Sequence, residues 1–161
     1  MSIASISHAI QSTGLATYVR ESELLYPMIM TTHLACIALF GGLIAVTDLR
    51  LLGVIMTNTP AQDVIARLRP LKWAGFVIMI TCGILLATSK LDEYYPNPYF
   101  QIKLSLLALV GVHAWVFRKS VYRRSAPASG TPAKLAAALS LLLWTGILSM
   151  GRWIAYYEPP K

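Results

Sequence analysis

The chain has 161 residues, 56% of them hydrophobic and only 13% charged, with a mean hydropathy of +0.58. A soluble domain carries roughly 25% charged residues, so this composition excludes a water-soluble globule as well as a disordered chain. Two cysteines exclude a disulfide scaffold. The net charge of +7 comes from 14 Lys and Arg against 7 Asp and Glu, set between apolar runs. That placement fits membrane topology rather than nucleic-acid binding, and no RNP, zinc-finger or helix-turn-helix pattern accompanies it.

In the segment 1–22, Ile3, Ile6 and Ile10 recur at helical spacing with Ser and Gln between them, until Gly14 interrupts the pattern. This predicts a short amphipathic helix lying on the membrane surface. A cleaved signal peptide is not expected, because the start is not basic and no long apolar run precedes residue 24.

A spanning helix needs about 20 mostly apolar residues. Uncharged stretches run from Leu24 to Thr47, Trp73 to Ser89, Leu104 to Phe117 and Leu135 to Gly151. They predict four spans over 24–47, 71–89, 98–118 and 134–156, in one domain covering 23–157, with a tail at 158–161. Asn58, Thr59 and Pro60 suit a turn and a helix start, and 125–132 reads as a flexible linker. The expected architecture is all-α: an integral membrane four-helix up-down bundle with an N-terminal interfacial helix.

Four spans put both termini and the loop 90–99 on one side. Five basic residues lie there (Arg20, Lys90, Lys103, Arg152 and Lys161), and nine lie on the other side. The positive-inside rule then places both termini in the periplasm of a bacterial inner membrane.

An ionisable group at depth in lipid needs a reason. His33 in the first span and His113 in the third meet that description. In an up-down bundle these helices are diagonal, and neutral imidazole is a good iron ligand. A haem b held between His33 and His113 is one reading, with Ala35, Gly111 and Ala114 leaving space beside it. The other is that each imidazole bonds a neighbouring Ser, Thr or backbone carbonyl, with Thr32, Thr81 and Ser105 available. Counted at 1.5 Å per residue from Leu24 and Pro98, His33 lies about 14 Å deep and His113 about 22 Å. A shared iron therefore needs tilt to make up about 8 Å.

Arg152, in Ser149-Met-Gly-Arg-Trp153, and Lys103 are candidate partners for haem propionates, or interfacial cations in an aromatic belt. Met30, His33 and Cys36 form a soft-donor stripe suited to Cu(I), which Cys82 could join, although Met and Cys also simply pack. Asp48-Leu-Arg50 suggests a local ion pair at the end of the first span, or a proton or quinone site. Arg67-Leu-Arg-Pro-Leu-Lys-Trp73 reads as a topology signal or a lipid-phosphate contact. No Gly-x-Ser-x-Gly, His-Glu-x-x-His, P-loop or Cys-x-x-Cys-His motif occurs, and no acid lies in mid-span, which disfavours carboxylate-driven transport.

Tyr26-Pro27, His33, Gly41-Gly42, Asp48-Leu-Arg-Leu-Leu-Gly53, Arg69-Pro-Leu-Lys-Trp-Ala-Gly-Phe76 and Asn97-Pro-Tyr-Phe-Gln-Ile-Lys103 together resemble a bacterial family of four-span membrane proteins known as a domain of unknown function, over residues 18–156. A looser similarity, at fold level, is to small membrane haem proteins of the protoporphyrinogen-oxidase type and to copper-resistance membrane domains. It implies haem b or copper at His33. The expected function is a b-type cytochrome passing electrons between the quinone pool and a periplasmic redox partner or a larger membrane complex. The alternatives are a cofactor-free accessory subunit and a copper-handling protein.

Overall fold

A computed structural model of the chain describes residues 3–122 and 130–158, with side chains at 3–116 and 130–158. The described residues are helical with no strand. In chain order they form α1 (Ile3–Gln11), α2 (Gly14–Glu21), α3 (Leu25–Leu52), α4 (Ala61–Ser89), α5 (Leu91–Tyr94), α6 (Pro98–Tyr122) and α7 (Thr131–Trp153), closed by a 3-10 turn at Ile154–Tyr156. Four helices are long and apolar enough to cross a membrane: α3, α4, α6 from Pro98 to Val116, and α7 continued to Tyr156. This confirms the four-helix membrane architecture.

Three boundaries differ from the sequence reading. The amphipathic N-terminal segment is two helices, because the chain breaks at Ser12 and Thr13, immediately before Gly14. The first span runs on through Asp48 and Arg50 to Leu52. It stops at Gly53, which takes the left-handed conformation that glycine adopts without penalty (φ 81°). Gly53 N–H donates to Arg50 O and Val54 N–H to Leu49 O, a Schellman ending. The second helix starts ten residues before the predicted span and carries Pro70 inside it, so the loop between the first two spans shrinks to a tight turn over 53–60. Only the end of the 125–132 linker, from Gly130, falls among the described residues.

α3 packs along α4 on one side and along α7 on the other, and α7 packs on α6. Among the described residues α6 makes its closest helix-to-helix approach to α7, and the core side chains link it to α3 and α4. The order around the bundle is thus α4, α3, α7, α6, with a looser seam between α4 and α6. The middle of the bundle is apolar. Met79, Trp144 and Ile147 are buried there, surrounded by Cys36, Ile37, Phe40, Ile44, Leu106, Leu107 and Val110. Gly41 permits this packing, because a Cβ at that position would overlap the Trp144 indole.

The outward faces carry large apolar side chains, among them Leu34, Trp73, Val77, Ile84, Leu109, Val112 and Leu142. Polar residues on these faces satisfy themselves locally. Thr81, Thr88, Ser105 and Thr145 each donate to the carbonyl four residues earlier. Such back-bonding lets a hydroxyl face hydrocarbon without an orphaned hydrogen bond.

One end of the bundle carries α1, α2, α5 and the 3-10 turn; it is called the terminal end below, and the end holding the 53–60 turn is the far end. At the terminal end Ser7 Oγ donates to Asp92 Oδ1 (2.7 Å), and His8 Nδ1 lies 3.1 Å from Asp92 Oδ2. The backbone N–H of Asp92 donates to Gln11 Oε1 (2.8 Å). These bonds fasten α1 to the connection between α4 and α6. Arg20 on α2 reaches the Gln11 and Ser89 carbonyls (both 3.4 Å), and Asn97 donates to Ile154 O (3.2 Å).

Candidate cofactor site

An aromatic layer fixes the level of three elements at the terminal end. The Tyr94 ring stacks on Phe100 with centroids 5.5 Å apart, and the Tyr94 and Tyr26 hydroxyls are hydrogen-bonded. Burial and that Tyr26 contact push the Tyr94 phenol above its ordinary value. Lys90 Nζ lies 5.6 Å from the Tyr26 ring centroid.

His33 lies two turns along α3 from Tyr26, on the same face. Its Nδ1 is 2.9 Å from the backbone carbonyl of Met79 on α4. A carbonyl can only accept, so Nδ1 carries the proton and Nε2 keeps its lone pair. Metal-ligating histidines are commonly oriented by such a bond from the other ring nitrogen. Gly83, one turn on from Met79, makes room for the ring: a Cβ there would stand 3.0 Å from His33 Cε1.

Lys103 of α6 lies within Coulombic range of this imidazole. Its ammonium is placed against Gly151 of α7, where a Cβ would stand 3.5 Å from Nζ. Among the described residues, no carboxylate forms an ion pair with Lys103; the pairs present are His8–Asp92, Arg20–Glu21 and Lys90–Glu93. An imidazole with a free lone pair and a half-buried cation with no carboxylate thus converge from two helices.

Counted along the helices, the two predicted ligands stand at different levels. His33 and His113 both lie half-buried on the inward stripes of their helices. Measured from the aromatic layer, the seven residues from Tyr26 to His33 span about 10 Å and the thirteen from Phe100 to His113 about 20 Å. Ile37 and Phe40 on α3, and Leu106, Leu107 and Val110 on α6, pack into the core between those levels. The offset anticipated from residue counting therefore persists in the fold.

Other sequence candidates fall elsewhere. Arg152 is exposed, and its Nη2 donates to the Tyr156 hydroxyl (2.5 Å) with the guanidinium over that ring, as in an aromatic belt. Cys36 belongs to the apolar core, and Cys82 is buried within Coulombic range of it. Met30 is half-buried on the His33 stripe. No group of three or more His, Cys, Asp or Glu placed to hold a metal ion occurs among the described residues. Thr81 and Ser105, offered as partners for the histidines, bond their own helices instead. Arg50 does not pair with Asp48; it donates to the Thr59 carbonyl (2.7 Å) and to that of Thr57 (3.4 Å), bracing the tight turn.

The sequence reading allowed a backbone carbonyl as the partner of His33, and the structure supplies one, but nothing in the sequence singled out Met79, since any residue type carries that group. Gly83 offered a signal, being a small residue in a span, but did not reveal that a ring would cover it.

No curated protein matches the chain, and no solved structure does. A family described as of unknown function, DUF6644, matches residues 18–157. That match takes in all four long helices together with the Tyr26, His33, Gly83 and Lys103 constellation, and the chain belongs to this family.

Proposed function

We propose that the protein is a membrane b-type cytochrome, with one haem ligated by His33 and electrons exchanged between the quinone pool and a redox partner at the terminal end. The observation that supports this reading is the His33 Nδ1–H bond to Met79 O, which fixes the ring and leaves Nε2 available beside Gly83. The residues present suit a haem: a neutral imidazole donor seated on Gly83, and the Lys103 ammonium as a partner for a propionate. The haem would supply one-electron chemistry. The chain would hold the imidazole in one tautomer, neutralise a carboxylate through Lys103 and keep water out with the Met79, Trp144 and Ile147 core. The level of His113 makes it a separate inward residue in this reading rather than the second axial ligand.

The test is the reduced-minus-oxidised visible spectrum of the detergent-purified protein. Soret and α bands are expected in the wild type, lost in His33→Ala and retained in His113→Ala. Lys103→Met is expected to lower haem occupancy without abolishing it. Equal loss in both histidine variants would restore the two-ligand arrangement. A colourless protein that stays folded would leave His33 as a hydrogen-bonding link between α3 and α4, and the protein as an accessory subunit. Copper recovered from the wild type and lost in Cys36→Ser would instead identify a copper-handling protein.

A further inference from the structure

At the far end of the bundle, away from the His33 site, α3 buries an acid. Asp48 is 7% exposed. The Ser140 hydroxyl of α7 lies beside its carboxyl. The carboxyl oxygen Oδ2 is sealed from solvent and has no hydrogen-bond partner among the described residues.

The neighbouring charges do not resolve this. Lys72 of α4 stands within Coulombic range but is not among the ion pairs of the described residues. On its own helix Arg50 is committed to the carbonyls of the 53–60 turn, and Thr47 donates back to Leu43 and Ile44. From α7 the contact is the uncharged Ser140. The adjoining packing of Leu51, Ile65 and Ala137 is apolar.

An ionised carboxylate with one oxygen orphaned in such surroundings is far more costly than the neutral acid. Whatever satisfies Oδ2 must also fit where no water reaches. A proton is the one ligand that needs no cavity.

We propose that Asp48 is a proton-binding site, holding a proton in this packed arrangement and exchanging it with the aqueous phase at the far end. Uptake converts the carboxylate and one proton into the carboxylic acid, and no other bond changes. Ser140 then donates to the carbonyl oxygen of the acid. Lys72 acts as a positioning residue: on proton release its ammonium is the counter-charge that moves in toward the carboxylate. This site does not depend on the haem reading, because it shares no residue with His33 or Lys103.

The test is infrared spectroscopy of the full chain in phosphatidylcholine vesicles. At pH 5 a carboxylic-acid carbonyl stretch above the amide I band is expected, downshifted in heavy water. Labelling with 13C-aspartate should shift it, which assigns it to one of the three aspartates, Asp48, Asp63 and Asp92. The band should be lost in Asp48→Asn and kept in Asp63→Asn and Asp92→Asn. If Asp48→Asn does not fold, the label together with the other two variants still assigns the band. Lys72→Met should keep the band and raise the pH at which it disappears by about one unit, since a favourable positive charge has been removed. A folded wild type with no aspartate-derived band at pH 5 overturns the proposal. So does a band whose titration Lys72→Met leaves unmoved.

Discussion

Gly83 and Gly41 show how single hydrogen atoms decide what α3 can pack against. At Gly83 the missing side chain is filled by the His33 ring, and at Gly41 by the Trp144 indole. Neither needs an unusual backbone angle, since both lie inside regular helix. What they provide is close approach. A Gly83→Val substitution should push the imidazole off Met79 O and cost about 1–3 kcal/mol, as overpacking of a filled site does. The check is thermal unfolding in mild detergent, where Gly83→Val should melt well below the wild type. Gly42→Val, at a position with open space around it, should melt close to the wild type. If the cytochrome reading holds, Gly83→Val should lose the Soret band as well.

At the scale of elements, the clamp on α1 is the contact that pH can move. Asp92 draws Ser7, His8 and Gln11 onto α5, and the first two of these hydrogen bonds hold its carboxyl below the ordinary value. The sign follows from that direction. The contribution is complete above the ordinary carboxylate range and is lost as pH falls through the depressed folded value. Acidification should therefore release α1 while the four long helices stay folded. Measured relative to the intrinsic rate at each pH, hydrogen exchange over residues 3–11 should be fast in acid and slow near neutrality. In Asp92→Asn the fast exchange should be present at neutral pH, and an unchanged profile in that variant would show that α1 is held by its apolar face instead. The buried Ala16 and Val19 of α2 give that helix an anchorage independent of Asp92.

Across the described residues there are two apolar clusters, and the one in the middle of the bundle gathers more side chains. Trp144 touches Gly41 and packs edge-on to Phe40 (centroids 5.4 Å apart), between Met79 and Ile147. It joins α7 to α3 and α4 in the middle of the bundle. Trp144→Ala should cost about 3–5 kcal/mol, more than any other single truncation on α7. An unfolding midpoint within a degree or two of the wild type would show that the core does not carry the fold. α6 reaches this cluster through Leu106, Leu107 and Val110 alone, so its separation from α4 should respond to Trp144→Ala before the α3–α4 pair does.

Much of this was legible in the sequence because burial in lipid imposes a one-dimensional constraint. Uncharged runs of sufficient length must be helices, so four spans, their order and both termini at one end follow from counting. Gly53 was visible within a resemblance motif, yet it marks the end of the first long helix. The charge at Asp48 hid this, since an acid reads as a boundary until a second helix is seen to shelter it. The same holds for the pairings within the bundle. Periodicity shows that His33 and His113 face inward, but it cannot register one helix against another. That registration comes from side chains meeting across the gaps: Trp144 on Gly41, Tyr94 on Phe100, Lys103 against Gly151. The sequence by itself determined a four-span helical membrane protein with ionisable groups on its inner faces. Only the tertiary structure decided that His33 meets the Met79 carbonyl, and that Arg50 braces the 53–60 turn while Asp48 is buried beside Ser140. Hydropathy acts along the chain, whereas contact between helices depends on how far each one slides against its neighbour.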